Sequence, residues 1–149
     1  MRSILLCGTV AMPAYDFFHH IVKAALIKAG WIITHDPLTV PFGDSNLHID
    51  LGAERLLAAE KGSEKIAVEV KNFIHSSLIS EFHTALGQFL NYQFVLEEYE
   101  PQRTLYLAIP ADAYREFFSL EITQKIVQRY KVKLVIFDPI TEEITQWKN

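Results

Sequence analysis

The chain has 149 residues, half of them hydrophobic and 21% charged, with a formal net charge of −4. That length suits one domain built on one substantial core, and no apolar run approaches the ~20 residues a membrane-crossing helix needs. The acidic balance excludes a protein that coats nucleic acid by sheer positive charge. A single cysteine, Cys7, excludes an internal disulfide framework and a multi-cysteine zinc site, which makes the cytoplasm the expected compartment. Only His19 and His20 lie close together among the histidines, and adjacent residues do not share a helix face as a zinc pair would.

Arg2 followed by Ile4 to Ala11 imitates a short signal peptide, but its apolar part is too short and the next residues open a helix without a cleavage spacer. Residues 1–11 therefore read as an N-terminal extension ahead of a single domain over residues 12–149. Pro13 suits the first turn of a helix. Phe18, Ile21, Val22, Ala25 and Ala29 then form one apolar stripe at helical spacing, which Gly30 stops. The β-branched run Trp31 to Thr34 predicts a strand ended by Pro37. Residues 41–54, punctuated by Pro41, Gly43, Asp44, Asn46 and Gly52, read as a loop or irregular strand.

A hairpin is predicted next, with Arg55 to Lys61 as one strand, Gly62-Ser63 as the turn and Glu64 to Phe73 as the other strand. Ser77 is placed to cap a helix that carries Leu78, Phe82, Ala85, Leu86, Phe89 and Leu96 and ends near Pro101. Leu105 to Ile109 is an apolar strand without alternation, the mark of burial on both faces. A helical region from Ala111 to about Tyr130, broken near Ser119, precedes strands at Lys133–Phe137 and Glu143–Trp147. The order implies an α/β fold, a mixed sheet flanked by helices, with a parallel crossover from the hairpin through the Ser77 helix to Leu105.

The chemistry concentrates on Ile66-Ala67-Val68-Glu69-Val70-Lys71. Side chains alternate along a strand, so Ile66, Val68 and Val70 enter the core while Ala67, Glu69 and Lys71 share the other face. A carboxylate and an ammonium side by side on a rigid strand suit metal-assisted phosphodiester cleavage. Carboxylates hold Mg²⁺ or Mn²⁺, the metal acidifies a water, and the lysine orients it or neutralises developing charge. The same pair also occurs on plain solvated strands, where it contributes little. Val70 offers a backbone carbonyl to the metal. The second carboxylate is Asp50 or, in reserve, Glu54. With a two-residue turn, Leu56 would face Glu69 and Glu54 would face Lys71, leaving Asp50 roughly 20 Å away along an ideal strand unless the chain bends back at Gly52. In that register Glu60 faces Lys65 as a solvated cross-strand pair.

Gln88 and Tyr92 lie one turn apart on the following helix. This set, an Asp before a hairpin, Glu-x-Lys on its second strand and Gln-x-x-x-Tyr on the next helix, resembles the RecB-like and Holliday-junction-resolvase-like branches of the PD-(D/E)XK nuclease superfamily. That resemblance implies a restriction-endonuclease-like αβββαβ core with Asp50, Glu69, Lys71, Gln88 and Tyr92 as catalytic residues. A finer resemblance lies in the stretches Ala24 to Pro37, Asp50 to Glu54, Ala58 to Gly62 and Ala85 to Tyr92, which are similar to the XisH family, fdxN-element excision controlling factors of cyanobacteria. It implies a role in programmed DNA excision, with DNA, a XisI-type protein and a site-specific recombinase as partners, no membrane, and self-association left open.

Two other functions compete with the nuclease. One is a non-catalytic adaptor of nuclease fold, and the other is one half of a toxin–antitoxin-like pair. Asp16 and His19, three apart on the first helix, are placed to approach the site from the other side. His35, His48, His75 and His83 read as structural, and Lys125, Arg129, Lys131 and Lys133 as phosphate contacts or a solvated helix end.

Overall fold

The computed structural model describes the backbone of residues 14–56, 62–74 and 77–149, and within these every side chain except those of residues 14–16 and 56. The expected extension 1–11, the helix start at Pro13, the Asp16 carboxylate, Glu60 and His75 lie outside the described residues.

Helix α1 (Ala14–Lys28) buries Ile21, Val22 and Leu26. Gly30 ends it at φ +95°, where the Gly30 N–H donates to the Ile27 carbonyl and the Trp31 N–H to the Leu26 carbonyl, each at 3.0 Å. A Cβ is strained at that φ, so glycine closes the helix and turns Trp31 into the core beside Leu26. Then follow β1 (Ile32–His35), β2 (Leu38–Phe42), β3 (Ser45–Ile49), β4 (Leu51–Leu56) and β5 (Ser63–Val70). After α2 (Leu78–Tyr99) come β6 (Arg103–Pro110), a short α3 (Ala111–Ala113) running into a π turn (Tyr114–Phe118), α4 (Glu121–Arg129), β7 (Leu134–Asp138) and β8 (Glu143–Lys148). The expected interruption near Ser119 is where the π turn gives way to α4.

Six strands form one mixed sheet in the order β1-β4-β5-β6-β7-β8. The β5–β6 and β6–β7 pairs are parallel and the others antiparallel. Five strands, not three, separate α1 from α2 among the described residues, because residues 38–49, most of them within the 41–54 stretch expected as loop or irregular strand, form the separate β2–β3 hairpin about Gly43 and Asp44. Its apolar positions, Leu38, Val40 and Ile49, pack with α2 against the sheet.

Both faces of the sheet are covered. Ile66, Val68 and Val70 join the α1 core, as the alternation predicts. Ala67 is equally buried on the opposite face, among Phe82, Ala85 and Phe89 of α2. The face that carries Glu69 and Lys71 therefore looks at α2, not at open solvent.

The hairpin register is corrected. Leu56 pairs with Ser63, Glu54 with Lys65 and Leu51 with Val68. Ser63 is already in the strand, so the connection is longer than the expected Gly62-Ser63 turn. The whole ladder shifts by six residues from the two-residue-turn reading, and Asp50 comes level with Glu69 on β5 without any chain reversal at Gly52. The irregularity in the ladder sits on β1 instead, between Ile33 and His35, opposite Ala53 and Gly52.

Candidate functional site: a buried carboxylate pair

Asp50 occupies the bend between β3 and β4. Continuing the β4–β5 register by one residue sets it across from Glu69. Each carboxylate is held by main chain from the other's strand. The Asp50 N–H donates to Glu69 Oε1 at 3.2 Å, and the Val70 N–H donates to Asp50 Oδ2 at 2.8 Å. Both residues are buried, Asp50 at 6% and Glu69 at 8% exposure. Lys71 stands two residues on along the same face, with Nζ 3.7 Å from Glu69 Oε2. In an extended residue the N–H and C=O point to the same side, so the Val70 carbonyl also looks toward Asp50.

The electrostatics follow from two acids and one cation in a desolvated place. Burial pushes the Glu69 carboxyl up to about 8, the Asp50 charge adds to the rise, and Lys71 opposes it. Helix α2 closes the site from its side. Ser77 starts the helix by accepting the Ser80 N–H at 3.2 Å. Two turns further, Phe82, Ala85 and Phe89 anchor it to the sheet, which fixes the azimuth of Gln88 and Tyr92. Burial, with the charges of Glu69 and Asp50 adding to it, raises the Tyr92 phenol to about 12, so Tyr92 stands within the field of the carboxylate pair. Among the described residues, Gln88 Oε1 is buried without a hydrogen-bond partner.

Glu54 is placed elsewhere. Paired with Lys65, it stands four residues along β4 from Asp50, about 13 Å at the usual rise. His19 does not reach the carboxylates with its described contact. Its Nε2 lies 2.6 Å from Asp36 Oδ1, and Lys23 Nζ donates to Asp36 Oδ2 at 2.8 Å. Burial works against ionising Asp36, but these two partners outweigh it and hold the carboxyl below its ordinary range. His35 and His48 contact Thr34 and Thr39, and His83 is exposed.

One residue of consequence went unread in the sequence. Arg103, at 5% exposure, donates from Nη1 to the Ile66 carbonyl at 2.9 Å and from Nε to Glu100 Oε1 at 2.8 Å. It clamps the strand that carries Glu69 to the end of α2. A lone arginine opening an apolar strand was the available signal.

Two buried carboxylates beside one lysine would carry surplus negative charge once Glu69 gives up its proton, and among the described residues Gln88 Oε1 lacks a donor. Both features fit a hard divalent cation with oxygen ligands. Among the described residues no group of three or more His, Cys, Asp or Glu side chains gathers to hold a metal, so such an ion would draw its remaining ligands from backbone carbonyl, amide oxygen and water. No described helix is long and apolar enough to cross a membrane.

The model of the XisH family, described as XisH protein, matches residues 12–145. An XisH family protein from Nostoc punctiforme PCC 73102 has a crystal structure 50% identical in sequence, covering 90% of this chain and 100% of its own, with a TM-score of 0.82. An fdxN element excision controlling factor protein from Anabaena variabilis is also 50% identical, covers 90% of this chain and 99% of its own, and has a TM-score of 0.81. No curated protein matches. With nearly its whole length matched by the family model and two solved relatives at half identity, the chain belongs to the XisH family.

Proposed function

We propose that this protein is a divalent-metal-dependent DNA endonuclease of the PD-(D/E)XK kind, with a restriction-endonuclease-like fold, that acts in controlled excision of a DNA element in the cytoplasm. The observation that carries the reading is the reciprocal bonding of Asp50 and Glu69, with Lys71 3.7 Å from Glu69. The excision role is suggested by the similarity to the Anabaena variabilis excision controlling factor.

In this reading Asp50, Glu69 and the Val70 carbonyl hold Mg²⁺ or Mn²⁺. The bound cation would polarise a phosphate and acidify a water. Lys71 supplies positive charge where it develops as negative on the phosphate oxygens. Gln88, whose oxygen lacks a donor, orients a water or metal ligand, and Tyr92, kept protonated, donates from its hydroxyl. The test is cleavage of supercoiled, linear and branched DNA with Mg²⁺ or Mn²⁺, beside Glu69→Ala and Lys71→Ala. Metal-dependent products from the wild type and none from the variants support the reading, and equal products from all three sink it.

A second reading has one observation in its favour. The site offers two acids, each already accepting a main-chain N–H. That suits a nuclease fold retained as an adaptor, which would regulate a site-specific recombinase through a XisI-type partner. Element excision by Glu69→Ala and Lys71→Ala at wild-type frequency would select it.

A further inference from the structure

Away from the carboxylates, the end of α4, the start of β7 and the end of β8 enclose a cavity of about 370 Å³. Gln124, Gln128, Lys131, Lys133, Lys148 and Asn149 give it its polar lining. In the sheet order, β8 lies three strands from the β5 strand that carries Glu69.

Three lysines from three separate places converge here: Lys131 from the end of a helix, Lys133 from a loop and Lys148 from an edge strand. Among the described residues none of them pairs with a carboxylate, whereas Lys125 on the neighbouring helix face meets Glu121 at 3.3 Å. Lys148 also lies over the Tyr114 ring, 5.3 Å from its centroid, but a ring does not neutralise a charge, and three cations around one hollow repel one another, so the arrangement is stabilised by an anion that enters it.

Helix-end charge compensation does not account for the cluster. In the last turn of α4 the carbonyls of Ile126, Val127 and Gln128 are already taken by backbone, from the N–H groups of Tyr130, Val132 and Lys131 respectively. Lys148 belongs to no helix. Lys131 holds φ +56°, a left-handed conformation that a side chain adopts at a cost, and it turns the residue into the rim of the hollow. The amide of Gln124 is committed to the Phe118 carbonyl, and Asn149 accepts the Tyr106 hydroxyl at its Oδ1, which leaves Gln128 and the Asn149 amide nitrogen as neutral donors beside the lysines.

We infer that the cavity bounded by Lys131, Lys133 and Lys148 is a binding site for a phosphate group of the polynucleotide backbone. An ammonium is a compact point charge suited to phosphate without base readout, and the hollow is large enough for one phosphate and its water. The inference rests on the proposal that the chain acts on DNA and adds where the duplex is held. In a chain of net charge −4, it localises the phosphate grip to one patch.

The test measures binding of the full chain to a 20-base-pair duplex by fluorescence anisotropy in EDTA, across a salt series, so that cleavage plays no part. The variants are Lys133→Gln, Lys148→Gln and Lys131→Asn, the last because asparagine tolerates the left-handed conformation, with Lys133→Arg and Lys148→Arg as charge-keeping controls. Circular dichroism melts confirm folding. The triple neutral variant is expected to bind about tenfold or more weakly at 0.15 M salt, with the slope of log affinity against log salt reduced by about 1 for each lysine lost, while the arginine controls keep the wild-type slope.

Unchanged affinity and slope in the neutral variants overturn the site, even in a protein that cleaves DNA. So does a wild type that binds no duplex. Inorganic pyrophosphate that protects the wild type thermally, but not the variants, while duplex affinity is unaltered, overturns the polynucleotide assignment in favour of a free phosphate ligand. Lysine-dependent binding by a protein that cuts nothing upholds the site and removes only the nuclease reading.

Discussion

The Asp50 N–H reaches Glu69 Oε1 at 3.2 Å, while the residue after Glu69 returns a main-chain N–H to Asp50 Oδ2 at 2.8 Å. The two carboxylates are thus positioned by the pairing of their strands and need no ion to find each other. What the pairing does not supply is charge balance. Glu69 answers by keeping its proton up to about pH 8.

That proton makes stability depend on pH in a definite direction. The folded state holds it up to about pH 8, whereas the unfolded chain releases it near the ordinary 4.5. Its stabilising contribution is fully present below pH 4.5 and is lost as pH rises through 8. The melting temperature of metal-free protein should fall between about pH 5 and 8.5, and Glu69→Gln should flatten the curve. Affinity for Mn²⁺, which must displace the proton, should rise over the same interval, as calorimetry at several pH values can record. A wild-type melting profile identical to that of Glu69→Gln would refute the assignment.

Gln88→Leu should trade function for stability. It removes a buried oxygen that has no partner among the described residues and adds apolar contact with α2's neighbours. A gain of about 1 kcal/mol in urea unfolding is expected, together with weaker Mn²⁺ binding. A loss of stability would mean that the amide is satisfied in solution.

Glu100→Ala strands the guanidinium of Arg103, which is buried and bonded to Glu100 at 2.8 Å. The cost should be about 2–4 kcal/mol, larger than that of Arg103→Met, which removes the buried charge along with its partner's need. Equal unfolding free energies for the two variants would contradict the clamp.

Gly52→Ala tests close packing behind the site. A Cβ there would come 3.1 Å from both Cβ and Nδ1 of His35 and 3.3 Å from Nη1 of Arg103. Those atoms belong to an adjacent strand and to the clamp, so overpacking should cost about 1–3 kcal/mol by chemical denaturation. A wild-type midpoint would show that His35 yields freely.

Much of this arrangement was legible in the residues. The strand around Glu69 announced itself by β-branched alternation, α1 by its stripe and glycine stop, and α2 by Ser77 and its apolar period. The register was not legible, because Gly62-Ser63 resembles a two-residue turn and nothing local reveals that Ser63 already pairs with Leu56. That one misplacement made Asp50 look remote and Glu54 near. The β2–β3 hairpin was hidden by Pro41, Gly43 and Asn46, although Leu38-x-Val40 and Leu47-x-Ile49 carried the two-residue period of strands around a glycine turn. Burial of Ala67 was invisible because a small residue sharing a face with Glu69 and Lys71 looks the same in the sequence whether or not a helix covers it.

The β4–β5 ladder runs from Leu56–Ser63 at the connection to Leu51–Val68 beside the carboxylates. The ladder holds six paired positions, so its two ends lie five residues apart, roughly 17 Å along the strand. The spacing of Asp50 and Glu69 is therefore decoupled from the length of the segment joining Leu56 to Ser63. A peptide epitope or reporter grafted into that segment can lengthen the chain without moving either acid, whereas deletion of one residue inside either strand exchanges the faces of the side chains beyond it and separates the pair. This makes the connection a natural handle for labelling a working protein.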